Sequence, residues 1–274
     1  MANLIKAACA QMTSGPDMAA NLTQAETMIR SAAEQGATFV ATPEVTDRML
    51  PKKPENIGKA LTEDQHPGIA HFAALAKDLG IWLLIGSMSI RISDTQIDNR
   101  TFLFAPDGRL ASTYNKIHLY DVDLPTGESH RESNTVQSGS KAVIADCAGA
   151  KLGMSICYDV RFPHFFRDLA KSGAQIITVP AAFTMPTGQA HWETLLRARA
   201  IETGCFILAP AQTGDHGHNR QTWGHSVIIN PWGEVIAKAG AEPEIIFADL
   251  DLAQVDKARH AVPSLKHDRD YEVP

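Results

Sequence analysis

Residues 151–163, KLGMSICYDVRFP, form the stretch around which the rest of the chain is arranged. Lys151–Ile156 is a short apolar run that predicts a buried strand, and His164–Ser172 predicts the helix that follows it. Cys157 falls where the strand ends, at the edge of the sheet where α/β folds usually carry their chemistry. A helix start close to Cys157 favours a thiolate. The stretch alone is equally compatible with a nucleophile and with a small buried hydrophobic residue at Cys157.

Length and composition indicate an ordinary globular chain of 274 residues, with 44% hydrophobic and 20% charged residues. The net charge of −6 argues against nucleic acid or a membrane surface as partner. No apolar run approaches the roughly 20 residues that span a bilayer, and the first residues lack the pattern of a secretory signal. The four cysteines, Cys9, Cys147, Cys157 and Cys205, are too few for a disulfide scaffold and form no CxxC pair. We therefore expect a cytoplasmic protein without a bound metal.

The two halves of the chain repeat one order of elements. The first half predicts strands and helices in alternation, at Leu4–Ala10, Asp17–Gln35, Ala37–Ala41, Gly68–Leu79 and Ile81–Ser87. The second half predicts the same alternation, at Lys151–Ile156, His164–Ser172, Ala174–Val179, Gln189–Thr203 and Cys205–Ala209. A hairpin follows each set, around Pro-Asp-Gly at 106–108 and Pro-Trp-Gly at 231–233.

This repetition predicts an α/β fold in which two mixed sheets face each other and carry helices on their outer faces. The expected architecture is a four-layer α-β-β-α sandwich with an internal pseudo-two-fold repeat. No segment has the composition of a domain linker, so residues 1–274 are expected to form one domain. Its core covers about residues 4–252, and residues 253–274 form a polar tail that either wraps around a partner subunit or stays mobile.

Residues with ionisable side chains in the first half have no equivalents at the matching positions of the second half. Aligning GATFVATPEV, from Gly36, with GAQIITVPAA, from Gly173, places Glu44 opposite Ala181. Lys116 follows its hairpin glycine by eight positions, and the equivalent position in the second half is Ala241. A carboxylate and a lysine needed only for stability would be expected in both halves. Their presence in one half indicates a single active site away from the repeat axis.

Four polar residues together make a workable catalytic set, although each alone has an ordinary structural explanation. Glu44 is placed to take the proton of the Cys157 thiol and later to give it to a departing amine. Lys116 and the backbone N–H of Tyr158 are the expected donors to a tetrahedral oxyanion. Glu132, in HRESN, is expected to orient Lys116 or to position the hydrolytic water. Such a set performs acyl transfer through a thioester.

The sequence resembles the nitrilase, or carbon–nitrogen hydrolase, superfamily. The matching pieces are TPE at 42–44, YNKIHL at 114–119, SICYD at 155–159 and RFP at 161–163. The resemblance implies an α-β-β-α fold, a homodimer or larger homo-oligomer, and no cofactor. It places the Glu–Lys–Cys triad on Glu44, Lys116 and Cys157, and the accessory glutamate on Glu132.

Three further stretches resemble the Nit branch of this superfamily, at residues 121–139, 190–203 and 224–233. HRESN at 130–134 is more similar to deaminated glutathione amidases than to ω-amidases. Tyr158-Asp159 after the cysteine, where true nitrilases usually have Trp-Glu, argues against nitriles. The resemblance implies a cysteine amidase that converts a terminal amide of a small carboxylic acid to the acid and ammonia, with deaminated glutathione as the best single substrate.

Four other readings stay open. The first two are an ω-amidase that acts on 2-oxoglutaramate-type substrates and an N-carbamoyl amide hydrolase. A non-catalytic scaffold of the same fold is the alternative from another class. A papain-like Cys–His enzyme is a further option, but no motif places a histidine for it.

Several residues are expected near the substrate. Arg131 suits a substrate carboxylate because its guanidinium binds one with two parallel hydrogen bonds, although a surface arginine is as compatible with the sequence. Phe183 and Thr184 follow the strand equivalent to the one before Glu44, so they are candidates for the pocket wall. His216 and His218 have the look of a metal pair, but no third ligand is evident nearby.

Overall fold

This computed structural model describes residues 4–51, 54–125 and 127–272, which contain sixteen strands and five α-helices. The strands are β1 (Leu4–Ala10), β2 (Phe39–Ala41), β3 (Trp82–Arg91), β4 (Ile97–Phe104), β5 (Leu110–Asn115), β6 (Asp121–Asp123), β7 (Ser129–Arg131), β8 (Ile144–Cys147), β9 (Ala150–Met154), β10 (Ile176–Thr178), β11 (Phe206–Ala209), β12 (Thr213–Asp215), β13 (Gln221–Trp223), β14 (Val227–Ile229), β15 (Val235–Lys238) and β16 (Ile245–Asp251). The α-helices are α1 (Met18–Glu34), α2 (Pro67–Leu79), α3 (Pro163–Lys171), α4 (Met185–Thr203) and α5 (Ala253–Ala261). Short 3₁₀ helices lie at Pro54–Lys59, Glu63–Gln65, Glu132–Asn134, Cys157–Arg161 and Ser264–Lys266.

The two large sheets have the same topology, which confirms the predicted repeat. The first runs β16-β1-β2-β3-β4-β5, and the second, read in the same sense, runs β8-β9-β10-β11-β14-β15. In each sheet the second, third and fourth strands are parallel, and the other neighbours are antiparallel. The three parallel strands of each sheet come from the β-α-β-α-β part of one half. Two of the antiparallel strands in each sheet come from the hairpin of that half.

The two halves exchange one strand each, which the sequence did not predict. β8 follows the hairpin of the first half but pairs with β9 of the second sheet. β16 follows the hairpin of the second half but pairs with β1 of the first sheet, from Leu4 opposite Asp251 to Ala10 opposite Ile245. Neither sheet is complete without a strand from the other half.

Side-chain alternation along the first sheet separates two apolar layers. In β1, Ala7 and Cys9 belong to the core shared with the second sheet, whereas Ala8 and Ala10 belong to the core beneath α1 and α2. β4 shows the same alternation, with Leu103 between the sheets and its neighbours against the helices. Because side chains of a strand point alternately to opposite faces, this pattern confirms the four-layer α-β-β-α sandwich.

Local signals account for most of the helix boundaries. The Asp17 side chain accepts hydrogen bonds from the first-turn amides of α1, and α2 begins at Pro67. Gly80 and Gly204 end α2 and α4 in the left-handed region, at φ 65° and 60°, which glycine adopts without penalty. α4 begins four residues before the predicted Gln189, because Pro186 in its first turn is compatible with a helix start.

The segment assigned to the tail contains helix α5. Val255 of this helix is fully buried, and Arg259 donates hydrogen bonds to the carbonyls of Thr203 and Ala174 at 3.0 and 2.6 Å. Further along, Asp268 forms ion pairs with Arg167 and Lys171 of α3. No helix within the described residues is both long enough and apolar enough to cross a membrane.

Replacing Leu103 by alanine is expected to lower the free energy of unfolding by about 2–5 kcal/mol, because it leaves a cavity between the sheets. Urea unfolding at fixed protein concentration measures the change. Leu110→Ala is the matched control, since Leu110 is 40% exposed and its loss should cost about 0.5 kcal/mol or less. Equal effects of the two changes would contradict the layer assignment.

Candidate active site

Cys157 lies just beyond the carboxyl end of β9, at the first residue of a 3₁₀ helix. Its φ of 50° is in the left-handed region, which is strained for a residue other than glycine. The N–H of Cys157 donates to Pro180 O at 2.9 Å, and that of Ser155 donates to Thr178 O at 3.2 Å. These bonds fix the turn against the end of β10 and hold Cys157 in its unusual backbone conformation.

Glu44 lies three residues after β2 and is 3% exposed. Its Oε1 accepts hydrogen bonds from Lys116 Nζ at 2.9 Å and from Asn99 Nδ2 at 2.8 Å. Its Oε2 accepts from the backbone N–H of Ala182, at 2.9 Å, in the second half of the chain. The carboxylate therefore spans the boundary between the two sheets and reaches the side on which Cys157 lies.

Lys116 follows β5 and is 1% exposed, with its ammonium between two carboxylates. Nζ donates to Glu44 Oε1 and to Glu132 Oε2, both at 2.9 Å. Burial lowers the pKa of Lys116, but the charges of Glu132 and Glu44 outweigh it and raise this pKa well above its ordinary value. Lys116 is therefore a cation at neutral pH.

Glu132 begins a 3₁₀ helix directly after β7 and is 2% exposed. Besides Lys116, its Oε2 accepts a hydrogen bond from the N–H of Tyr120 at 2.8 Å. The structure thus brings Glu44, Lys116 and Glu132 into one hydrogen-bonded cluster, and Cys157 borders the same pocket.

The electrostatics of the cluster favour the thiol form of Cys157 over the thiolate. Burial raises the pKa of this thiol, and the negative charge of Glu44 raises it further, against the opposing effect of Lys116. The expectation that a helix start favours the thiolate is wrong, because the helix here is a five-residue 3₁₀ turn in a buried site. Conversion of this thiol to a thiolate therefore needs a base.

Asn99, on β4, belongs to the cluster although no motif in the sequence singles it out. Its Nδ2 donates to Glu44 Oε1 at 2.8 Å and to Glu132 Oε1 at 3.3 Å, so one amide bridges the two carboxylates. Asn99 is 2% exposed, and its Oδ1 has no hydrogen-bond partner among the described residues. Asn99 stands among the polar residues Asp98, Arg100 and Thr101 of β4, so only the tertiary structure distinguishes it from its neighbours.

Comparison with known proteins identifies the family. The profile described as Carbon-nitrogen hydrolase matches residues 6–260. The chain belongs to the carbon–nitrogen hydrolase family. A Synechocystis sp. protein named deaminated glutathione amidase is 40% identical over 265 residues, which cover 95% of this chain and 97% of the relative.

Solved structures show the same fold as this hydrolase. The crystal structure of the C. elegans NitFhit protein has a TM-score of 0.89 at 37% identity, and the match covers 97% of this chain and 65% of that one. The amidase from Nesterenkonia sp. AN1 has a TM-score of 0.79 at 27% identity, with 94% of each chain covered. Its structure is that of a Glu-to-Gln variant with the acetamide moiety of fluoroacetamide added covalently at the active-site cysteine. The chain is thus a hydrolase of carbon–nitrogen bonds other than peptide bonds.

A small pocket beside Cys157 carries both predicted wall residues of this hydrolase, Phe183 and Thr184. Phe183 packs on the ring of Trp192 at 4.8 Å between centroids. Thr184 Oγ1 lies 2.8 Å from Thr187 Oγ1. An outer cavity of about 730 Å³ adjoins this pocket and shares Thr184 with it.

Arg131 lies on the rim of the outer cavity, where its guanidinium is already paired. Nη2 contacts both carboxylate oxygens of Asp123, at 2.8 and 2.7 Å, and Nη1 donates to Val122 O at 2.9 Å. In this arrangement Arg131 does not point a free guanidinium at Cys157. The structure places Arg220, a residue that the sequence did not single out, in the wall of the inner pocket.

His216, one of the two histidines that look like a metal pair in the sequence, has both ring nitrogens in contact with other groups. His216 Nδ1 lies 2.8 Å from Ser14 O, and Nε2 lies 2.6 Å from Thr222 Oγ1. Both ring nitrogens are therefore engaged in the structure of the loop, and burial lowers the pKa of this histidine. His216 and His218 line the outer cavity, as part of the loop between β12 and β13.

The buried carboxylate of Asp159 joins the lysine segment to the cysteine turn. Oδ2 accepts from Tyr114 Oη at 2.7 Å and from the N–H of Ile156 at 2.8 Å. Oδ1 accepts from the N–H of His118 at 3.0 Å and lies 2.6 Å from its Nδ1. Asp159 therefore fixes the residues on both sides of Lys116 to the turn that presents Cys157.

Changing Asp159 to asparagine is expected to lower kcat on the order of 100-fold. The amide nitrogen of asparagine cannot accept the hydrogen bonds that one of the two carboxylate oxygens accepts, so Lys116 and Cys157 lose their relative positions. Tyr114→Phe removes the hydroxyl that donates to Asp159 and accepts from the N–H of Ile117 at 3.2 Å, and it keeps the ring packing against Phe165. It should cost about 1–3 kcal/mol of stability and less activity than Asp159→Asn. Steady-state kinetics with urea unfolding separate the two effects. Full activity of a folded Asp159→Asn protein would contradict the positioning role.

Proposed function

We propose that this hydrolase is a cysteine-dependent amidase in which Cys157 is the nucleophile. The observation that carries the proposal is the buried cluster in which Lys116 Nζ lies 2.9 Å from both Glu44 and Glu132, beside the Cys157 thiol. A base, a cation and a protonated thiol at one pocket are the parts that amide cleavage through a thioester requires. The reaction needs no cofactor.

Glu44 acts as the general base and acid. As Cys157 Sγ forms a bond to the amide carbon, Glu44 takes the thiol proton, and it then gives this proton to the nitrogen as the C–N bond breaks. The amine leaves, and the acyl group stays on the sulfur as a thioester. Glu44 next takes a proton from water, whose oxygen attacks the thioester carbon. As the C–S bond breaks and the acid is released, Glu44 returns this proton to Cys157 Sγ, which restores the thiol and the carboxylate.

Lys116 and the backbone N–H of Tyr158 stabilise the oxyanion of each tetrahedral intermediate. An ammonium has three N–H donors, and the carboxylates of Glu44 and Glu132 occupy two of them, which leaves one for substrate. Tyr158 lies in the first turn of the 3₁₀ helix that starts at Cys157, where amide N–H groups have no acceptor within the helix. Each such donor is typically worth about 3–4 kcal/mol of barrier. Glu132 holds Lys116 in place and is available to orient the hydrolytic water.

The substrate that we propose is deaminated glutathione, which is supported by the name of the Synechocystis relative. In this compound the cleaved amide joins a 2-oxo acid to cysteinylglycine, so the amine product is this dipeptide, and the ammonia expected from the sequence is wrong for this substrate. The outer cavity of about 730 Å³ offers space for that leaving group. Ammonia would be the product from primary amides such as 2-oxoglutaramate.

The deciding experiment follows product release from deaminated glutathione and from 2-oxoglutaramate by the wild-type protein and by Cys157→Ala. We expect cysteinylglycine from the first substrate, and none above background in the variant. Faster ammonia release from the second substrate would keep the mechanism and favour an ω-amidase. Release from neither, with Cys157 unreactive to iodoacetamide, would favour a non-catalytic scaffold.

Glu44→Gln is expected to lower kcat by about 10²- to 10⁴-fold, because the general base is lost. Alkylation of Cys157 by iodoacetamide should persist, and its pH profile should move to lower pH, because the charge of Glu44 raises the pKa of the thiol. Mass spectrometry of the modified peptide, across pH 6–10, measures this shift. Parallel loss of turnover and alkylation would show that Glu44 activates the resting thiol instead.

We also propose that the protein forms a homodimer or larger homo-oligomer in the cytoplasm and that the whole chain is one domain. Ile201, Trp232 and Val262 are 56–58% exposed and line one groove, which is a cluster that a partner copy would cover. The exchanged strands β8 and β16 support a single domain. All four cysteines are free and buried, which suits a reducing compartment.

Trp232→Glu is expected to reduce the molar mass measured by size exclusion with light scattering to that of a smaller assembly or a monomer, because it places a charge in the apolar groove. Leu110→Glu is the control, since Leu110 is an exposed apolar residue that does not line this groove. An unchanged mass for a folded Trp232→Glu protein would rule out this groove as the interface.

A further inference from the structure

The loop between β12 and β13 forms a wall of the active-site pocket. Arg220, at its end, lines both the inner pocket beside Cys157 and the adjacent outer cavity. The side chain is half-buried. Arg220 therefore lies at the boundary between the two spaces.

Arg220 has no acidic partner in the described parts of the chain. Its recorded hydrogen bonds are made by the backbone, from its N–H to Gly217 O at 3.0 Å and from the N–H of His216 to its carbonyl at 2.9 Å. Arg131, which shares the outer cavity, is already held by both oxygens of Asp123. Of these two arginines, Arg220 is the one with a guanidinium available to bind a ligand.

The loop holds Arg220 in a prearranged position. His216 is buried and anchors the loop to Ser14 and Thr222. His218 and Asn219 follow with φ of 55° and 58°, a left-handed backbone that is costly for residues with side chains and persists where the surroundings enforce it. The strained turn directly precedes Arg220 and therefore determines where its side chain leaves the backbone.

The charges of the catalytic cluster in the inner pocket would by themselves repel an anionic substrate. Glu44 and Glu132 contribute two negative charges and Lys116 one positive charge, so an anionic substrate meets a net negative cluster. Lys116 is committed to the two carboxylates by hydrogen bonds of 2.9 Å. Among the residues that line the inner pocket, Arg220 is the remaining cation.

We propose that Arg220 binds a carboxylate of the substrate and selects amides of carboxylic acids over neutral amides of the same length. The planar guanidinium provides two parallel N–H donors that match a carboxylate, and partial burial strengthens the contact. This inference rests on the proposed amidase function for the reaction, but it assigns the recognition of the charged group to a residue outside the catalytic cluster.

The test compares 5-amino-5-oxopentanoate with pentanamide, which have the same chain length and differ in the carboxylate. Arg220→Gln is expected to raise KM for the acid on the order of 10- to 100-fold, with a small change in kcat, and to leave kcat/KM for pentanamide within about threefold. Arg220→Lys should restore part of the acid preference, as a point charge without the fork.

Two further arginine variants provide a charge control and a test of the rival site. Arg109→Gln makes the same change in net charge at an exposed turn outside the cavity and should leave the acid preference unchanged. Arg131→Gln tests the rival carboxylate site. An acid-specific loss in Arg131→Gln but not in Arg220→Gln would overturn the proposal, and so would equal losses on both substrates in Arg220→Gln.

A second readout separates this inference from the amidase function. Glutarate should slow alkylation of Cys157 by iodoacetamide in the wild type, with pentanamide as the uncharged comparison, and this protection should weaken at least tenfold in Arg220→Gln. Protection that depends on Arg220 without hydrolysis of any amide would keep the carboxylate site and reject the function. Hydrolysis with protection and KM indifferent to Arg220 would keep the function and reject the site.

Discussion

The buried ammonium of Lys116 between Glu44 and Glu132 is the interaction on which the active site depends. Removing three charged groups from water costs several kcal/mol for each ion unless hydrogen bonds replace the lost hydration. Asn99, the N–H of Ala182 and the N–H of Tyr120 provide these bonds, in addition to the ion pairs. The cluster therefore constrains every segment that supplies one of its donors or acceptors.

This constraint explains why the site lies at the boundary between the two repeats. The first half supplies both carboxylates and the lysine, and the second half supplies Cys157 and the backbone N–H of Ala182. The repeated topology brings equivalent strand ends to the same edge of the sandwich, and unequal side chains at those ends make one site instead of two. Asp159 adds a second connection, because it binds the segments before and after Lys116 to the cysteine turn.

The cluster also determines the resting charge of the nucleophile. Burial and the charge of Glu44 raise the pKa of the Cys157 thiol, whereas Lys116 opposes them. A neutral thiol is less nucleophilic than a thiolate, so the raised pKa slows side reactions of Cys157 with other electrophiles. Because the same cluster is net negative, recognition of an anionic substrate must come from outside it, and Arg220 is the cation that the loop after β12 places there.

The sequence by itself determined the repeat, the layer order and the residues with chemical side chains. Strand periodicity, proline and glycine boundaries, and the placement of Glu44 and Cys157 after strands, of Lys116 after a hairpin and of Glu132 in a polar segment are local features that can be counted along the chain. The tertiary structure decided the exchange of β8 and β16, the bridging by Asn99, and the choice between Arg131 and Arg220 for a free guanidinium. These depend on which groups meet across the two sheets: an arginine is free or paired according to a neighbour that no local pattern specifies.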